Sequence, residues 1–494
     1  MRQPTVSAAE HPIVPGFYSD PTICRVGEDY YLAHSSFEYF PGAPIFHSRD
    51  LVSWRQIGNI LDRRSQFLRG DGRASGGIYG STLRHHDGRF HFVTTNVGDA
   101  ESGQTIVTAE DPAGPWSDPV FVREAVGIDP DLCWDEDGEC YLTWKGTVFN
   151  GEGDGIFQGR LDLETGRFKS EPYQVWQGLG LAASEAPHLY RVGDRWYLML
   201  AEGGTERGHT VTVARADRPE GPYEACPANP IFSHRSLAHP VQNTGHADLV
   251  ETAEGEWAAV YLAVRPLGFT PQFHVLGRET FLAGIDWVDG WPVFDEGRHS
   301  FTAPDTSFGD EFASPALDPR WVAPSSEPEA IASPHPGGGL ELRDPKDDSP
   351  GLLCFRVQDH RWSATAAFTG SGRFELRIDD RHRYGLRFEN GLVTAYARIG
   401  GVTADLGSAP APGGEAVLAI RAVECVAETL TAYGPDDVVL SLGGADPVEL
   451  ARLDGRYLST EVATGFTGRV LGVGAVGGAS RLTAVDYRAD RLPE

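Results

Sequence analysis

The chain is poor in basic side chains: 42 Lys and Arg stand against 70 Asp and Glu, a formal net charge of −28 over 494 residues. Phosphate-bearing partners need clustered Lys and Arg, so this balance argues against nucleic acid and against an anionic membrane surface. The acidity otherwise favours solubility, and it is compatible with self-association into a homo-oligomer. No run approaches the ~18 apolar residues of a membrane-spanning helix. The first residues, Met1-Arg-Gln-Pro-Thr-Val-Ser-Ala-Ala-Glu10, lack the apolar stretch of a secretory leader, so the expected location is the cytoplasm. Cysteine is scarce as well, six residues with no CxxC spacing. Cys24 and Cys133 directly follow apolar anchors in strand-like segments and read as reduced core thiols. Helical periodicity is almost absent, while Gly, Pro and Asp turns come at short intervals, which makes the chain all-β by pattern.

What is present is a repeated frame. Pro15-Gly16-Phe17-Tyr18-Ser19-Asp20-Pro21-Thr22-Ile23 presents one carboxylate on a Gly/Pro-flanked turn, followed by an apolar anchor and then the strand Tyr30-Tyr-Leu. The anchor recurs as Leu83, Leu132, Leu189 and Leu249, each followed by a Gly or Asp turn and a second strand. Five copies at intervals of about 50 to 60 residues predict the blades of a five-bladed β-propeller. Three or four residues before the anchors stand Asp20, Gly80, Asp129, Glu185 and His246. One repeat position converges on one funnel in a propeller, so three carboxylates are expected around a single mouth. Asp131, Asp135 and Asp137 fall outside that position and read as turn or solvated acids.

Residues 1–303 carry the blades. Near 304–330 the texture turns linker-like, with Pro304-Asp-Thr-Ser-Phe308 running through Trp321 to Pro324-Ser-Ser-Glu-Pro-Glu329. Beyond it, Arg373–Ile378 and Tyr384–Phe388 alternate with period two, and Ala416–Ile420 and Val470–Val473 are short apolar runs. Together these predict a β-sandwich over 304–494.

Seven motifs in order then carry a resemblance: Pro-Gly-Phe-Tyr-Ser-Asp20-Pro, Ser-Ser-Phe37-Glu-Tyr-Phe-Pro-Gly, Gly-Ile-Asp129-Pro-Asp-Leu, Ser-Glu185-Ala-Pro-His-Leu-Tyr, Ala-Glu-Gly-Gly-Thr205, Gly-His246-Ala-Asp-Leu and Leu-Gly-Arg278-Glu-Thr. With the tail segments Leu458-Ser-Thr-Glu and Gly465-Phe466-Thr-Gly, the chain resembles family 43 glycoside hydrolases, in particular the β-xylosidase branch that ends in a concanavalin-like β-sandwich. The resemblance implies an exo-acting, inverting hydrolase of xylo-oligosaccharides or arabinoxylan-derived chains that requires no cofactor. α-L-Arabinofuranosidase activity is the alternative. A non-catalytic carbohydrate-binding propeller and a retaining fructan-type hydrolase are further readings.

By the same resemblance Asp20 is the general base, Glu185 the general acid, and Asp129 the group that raises and orients the acid. A nearby like charge does raise a carboxyl pKa, and glycoside hydrolysis needs one protonated and one ionised carboxyl. Phe37 and Tyr79 would line the sugar subsite, Arg278 would offer donors to substrate or base, and Phe466 would close the pocket from the sandwich. His246 would support the pocket or, as in some relatives, contact a calcium ion or its waters. Two departures stand out. Gly77-Ile-Tyr79-Gly-Ser replaces the Gly-Ile-Trp-Ala-Pro of many relatives, and Glu185 precedes Ala-Pro instead of Gly-Pro.

Overall fold

The computed structural model describes residues 4–67, 73–146, 154–344 and 349–490. Five antiparallel sheets follow one another along the first three hundred residues, and each opens with an inner strand: Thr22–Val26, Ile78–His86, Gly127–Trp134, Glu185–Val192 and Gln242–Glu251. We number the blades I to V in that order. The recurring frame is the reason for the repeat. Every anchor pairs with the second strand of its own blade, as in Ile23 opposite Leu32, Leu83 opposite Phe92, Leu132 opposite Leu142 and Leu189 opposite Leu198. All five anchors are buried.

Side chains on the inner strands stitch neighbouring blades together. Thr22 Oγ1 accepts from Leu83 N at 2.9 Å, Asp131 Oδ2 from Leu189 N at 2.9 Å, and the Tyr190 hydroxyl from Leu249 N at 2.9 Å. Asp248 Oδ2 accepts from Ile23 N at 2.9 Å and from Thr22 Oγ1 at 2.8 Å, which joins blade V to blade I. These acceptors satisfy backbone donors that the ladders leave free at the ring's centre. Outside the blades, Thr5–Ser7 pairs with Ser300–Thr302 as a separate two-stranded sheet.

Asp131 therefore departs from expectation. It is neither solvated nor in a turn but fully buried, because it receives Leu189 N–H and the Arg84 guanidinium. Asp135 does sit in the expected turn, accepting from Asp137 N and Glu139 N.

Beyond the propeller, an eight-stranded and a six-stranded sheet pack face to face around one large apolar cluster that includes Trp321, Trp362, Phe374 and Leu418. The linker-like texture near 304–330 hides a packed connection. Phe308–Asp310 joins the eight-stranded sheet, Trp321 is buried in the sandwich core, and Ala323–Pro324 pairs with Tyr39–Phe40 of the propeller. Its Pro and Ser content suppresses the strand pattern, whereas Phe308, Phe312 and Trp321 supply the anchoring contacts.

The two parts share a further apolar cluster in which Phe17, Phe37 and Tyr39 of the propeller meet Val322, Leu352, Cys354 and Val470. No helix among the described residues is long and apolar enough to cross a membrane. All six cysteines are free thiols.

Candidate active site

The inner strands deliver their functional side chains through one backbone device. Asp129, Ala186 and His246 adopt left-handed φ of 54°, 51° and 49°, each three residues before its anchor, and Asp20 does the same at 53° just ahead of its strand. In blades II to V the ladder register shifts at this point, between Ile78 and Ser81, Ile128 and Asp131, Glu185 and His188, and Gly245 and Asp248. A bulge of this kind re-aims the side chain beside it, here toward the funnel. Asp and His tolerate the left-handed region better than most residues, which suits three of the four positions. Blade IV differs, because Ala186 takes the left-handed position and Glu185 enters from the residue before it. That single-residue offset gives Glu185 an approach of its own.

Blade II supplies Gly80 at the equivalent place, and close approach explains its identity. A Cβ there would stand 2.3 Å from Asp129 Oδ1 and 3.0 Å from His246 Cε1. Any side chain would collide with the carboxylate.

Asp20 is the best-compensated acid of the three. Ser35 Oγ donates to Oδ2 at 2.6 Å, while Arg278 Nη1 and His246 Nδ1 lie 3.5 and 3.4 Å from Oδ1. Burial pushes the Asp20 pKa up, but Arg278, His246 and Ser35 outweigh it and the carboxyl is held below its ordinary range. Arg278 carries the charge in that balance, since burial drives His246 down to about 4 and leaves its ring neutral at working pH. His209, also buried and shifted to about 4, donates from Nδ1 to Asn243 O over 2.9 Å and faces the same carboxylate.

The other two acids behave oppositely. Burial, then the charge of Asp20, pushes Glu185 up to about 7, with Arg278 and Lys145 opposing. Asp129 is also raised, by burial first and then by Glu185 and Asp20. The two carboxyls form one coupled pair, and both directions agree that it keeps a proton at pH values where Asp20 is ionised. The geometry favours Glu185, because Ala186 N donates to Asp129 Oδ2 at 3.1 Å and a backbone donor stabilises the ionised form.

An aromatic wall stands beside the acids. Phe466, from the sandwich, stacks on Phe37 with centroids 6.0 Å apart and meets Tyr79 edge-on at 5.8 Å, while Phe37 and Tyr79 are 5.4 Å apart. The Arg278 guanidinium lies 5.1 Å from the Phe466 centroid and 5.7 Å from that of Phe37. Tyr79 and Phe466 are both partly exposed, as a substrate-facing surface requires.

All eight residues singled out from the sequence, Asp20, Phe37, Tyr79, Asp129, Glu185, His246, Arg278 and Phe466, thus meet around one funnel. Sequence reasoning missed Ser35, Thr205, His209 and Lys145. Ser35 and Thr205 lie inside motifs that were recognised, but a hydroxyl beside a carboxylate leaves no periodic signal. His209 and Lys145 reach the site from second strands of their hairpins or the loops leading into them, where no repeat position points to the axis.

Calcium at His246 does not fit the donors present. A hard cation takes six to eight oxygens, but His246 faces Asp20, whose oxygens are already engaged, and the His188 ring 6.4 Å away. Beneath them the Arg84 guanidinium already supplies positive charge, donating to Asp131 Oδ1 and Asp248 Oδ2 at 2.9 Å each and contacting His188 Nδ1 at 3.2 Å. Among the described residues no group of three or more His, Cys, Asp or Glu side chains is arranged to hold a metal.

Comparison with known proteins places the chain in context. Residues 9–292 match the family described as Glycosyl hydrolases family 43. A xylosidase/arabinosidase from Butyrivibrio fibrisolvens is 42% identical over 389 residues, covering 72% of this chain and 74% of its own. A non-reducing end α-L-arabinofuranosidase from Bacteroides ovatus is 36% identical over 501 residues, covering 94% and 91%. Among solved structures, the Bacteroides ovatus xyloglucan-locus GH43B superposes with a TM-score of 0.88 at 33% identity over 99% of this chain and all of its own. The xylan β-1,4-xylosidase of Bacillus halodurans superposes with a TM-score of 0.86 at 28% identity, covering 97% and 99%.

Proposed function

Since this chain belongs to the glycosyl hydrolases of family 43 and is a glycosidase acting on xylan-type or arabinoxylan-type chains, we propose that it is an exo-acting, inverting enzyme releasing terminal β-D-xylosyl units from xylo-oligosaccharides. The observation that carries this reading is the opposed protonation of acids around one funnel. Asp20 is held ionised by Arg278 and Ser35, and the Asp129–Glu185 pair keeps a proton. Glycoside hydrolysis needs that division of labour, and the anomer of the first product separates inversion from retention.

In this mechanism Asp20 takes a proton from the attacking water as it adds to the anomeric carbon. Glu185 gives its proton to the departing glycosidic oxygen, so the leaving sugar departs neutral. Asp129, ionised and fixed by Ala186 N–H, holds Glu185 in place and makes loss of its proton unfavourable until the oxygen needs it. Arg278, Phe37, Tyr79 and Phe466 surround the terminal sugar and end the pocket, which favours chain ends. The propeller, 1–303, and the sandwich, 304–494, act as one enzyme because Phe466 belongs to the second and faces the first.

α-L-Arabinofuranosidase activity, alone or alongside, is the second reading. It is favoured by the activities named for the Butyrivibrio and Bacteroides relatives. The two are separated by hydrolysis of aryl β-xyloside, aryl α-arabinofuranoside, xylobiose and arabinoxylan, with proton NMR of the first product. α-Xylose released early from a β-xyloside supports the proposal. Early β-xylose would make the enzyme retaining and turn one of the acids, most directly Asp20, into a nucleophile.

A further inference from the structure

The loop that carries Phe466 is fastened to the propeller well away from that ring. Glu461 lies in the one-turn helix Thr460–Ala463 of the sandwich, and both of its carboxylate oxygens engage one propeller residue. Oε1 lies 2.6 Å from His274 Nδ1, and Oε2 accepts from the His274 backbone N–H at 3.0 Å. Thr460 N donates in return to His274 O at 3.4 Å.

From this clip two segments run alongside each other without slack. Arg469 N donates to Val275 O at 3.0 Å. A Cβ on Gly277 would stand 2.8 Å from Gly468 N, and one on Gly468 would stand 2.2 Å from Leu276 O, so the two backbones touch. The pairing ends at Arg278. Its Nη2 donates to Phe466 O at 3.3 Å, while Nη1 donates to Thr205 Oγ1 at 3.0 Å and lies 3.5 Å from Asp20 Oδ1. Phe466 N is held in turn by Ser75 Oγ at 2.8 Å. A carbonyl of the sandwich thus takes one arm of the guanidinium whose other arm faces the catalytic carboxylate.

We infer that Glu461 and His274 are positioning residues for the reaction: by fixing the register of the sandwich loop against residues 274–278, they set where Arg278 stands relative to Asp20. The sandwich then contributes to the base as well as to the pocket wall. This rests on the assignment of Asp20 as general base. The titratable and charged groups facing Asp20 are Arg278, His246, His209, His34 and Tyr79 together with Asp129 and Glu185. Of the charged groups, the clip reaches Arg278, through the Phe466 carbonyl, and the Phe466 ring also meets Tyr79.

The test uses full-length Glu461→Ala, His274→Ala and the double variant, with Glu461→Gln as the conservative change. The acid limb of the kcat/KM profile is recorded on an activated aryl xyloside, where Glu185 contributes least. Each single alanine variant is expected to move that limb to higher pH and to lower kcat about three- to tenfold at the optimum. The double variant should be no worse than either single one, and Glu461→Gln should recover at least half of the loss. A lowered melting temperature with an unmoved acid limb and unchanged kcat would overturn the inference, leaving a structural clip. A rise in KM alone would overturn it too, since the loop would then act only as a wall. Asp20→Asn, run in parallel, keeps the two ideas apart. If that variant retains its activity the base assignment fails, whereas an inactive Asp20→Asn beside alanine variants with an unmoved limb refutes the positioning role alone.

Discussion

Two layers of carboxylates line the inner strands of the propeller, two residues apart on Gly127–Trp134 as Asp129 and Asp131, and they have opposite surroundings. In the mouth of the funnel, Asp129 and Glu185 are pushed toward their neutral forms by burial and by one another. In the channel beneath, Asp131 and Asp248 are more deeply buried, yet the Arg84 guanidinium pairs with both. Burial alone would push Asp248 up, but Arg84 holds it well below the ordinary carboxylate range. Residue type is nearly the same in the two layers and burial is greater in the channel, so the partner decides. A buried acid with matched charge and backbone donors closes the ring, and one deprived of them is left able to exchange a proton.

The largest effect that would sharpen this comparison is in the mouth. Asp20→Asn should lower kcat by about 10²- to 10⁴-fold on every substrate while the denaturation midpoint stays near wild type, because the amide oxygen can still accept from Ser35 whereas the base is gone. The channel should give the reverse. Arg84→Met leaves two fully buried carboxylates unpaired and should cost about 3–5 kcal/mol of stability, read as a lowered denaturation midpoint, with kcat per folded molecule nearly unchanged. A stable Arg84→Met protein, or an unfolded Asp20→Asn one, would erase the distinction.

Glu185→Gln probes both axes at once. Its kcat should fall far more on xylobiose than on an aryl xyloside, since a good leaving group needs little protonation. Wild-type activity should itself decline as pH rises through about 7, where Glu185 gives up its proton. The folded pKa lies above the unfolded value near 4.5, so the folded state binds more protons between the two. Wild-type stability is therefore lost as pH rises across that window. The Gln variant escapes this loss and should be about 1 to 2 kcal/mol more stable than wild type at pH 8, with the difference vanishing at pH 4. Equal stabilities at pH 8 would show that the mouth carries no such strain.

The smallest effect concerns metal. With Arg84 already supplying positive charge to Asp131 and Asp248, a chelator should move the melting temperature by less than about 1 °C and leave activity unchanged. Calcium-dependent melting would mean that a cation site forms despite the arginine.

The sequence by itself determined the repeat, and with it the funnel. Ile23, Leu83, Leu132, Leu189 and Leu249 mark a period that any five-bladed ring must obey, and the position before them had to face the axis, which is why Asp20, Asp129, Glu185 and His246 were legible together. It also exposed Phe466, since a Phe between glycines has little sheet of its own to enter. What it left open followed from partners that have no fixed spacing. Asp131 looked like a turn acid because nothing local shows Arg84 arriving from another blade, 47 residues earlier. The connection near 304–330 looked loose because its anchors, Phe308 and Trp321, bind surfaces supplied by distant strands. The tertiary structure alone decided that Ala186 takes the left-handed position and Glu185 the one before it, and that Arg278 divides its guanidinium between Asp20 and the carbonyl of Phe466. Period and residue type are written along the chain, whereas protonation depends on which charge stands within a few ångströms, and only folding brings residues 20, 278 and 466 that close.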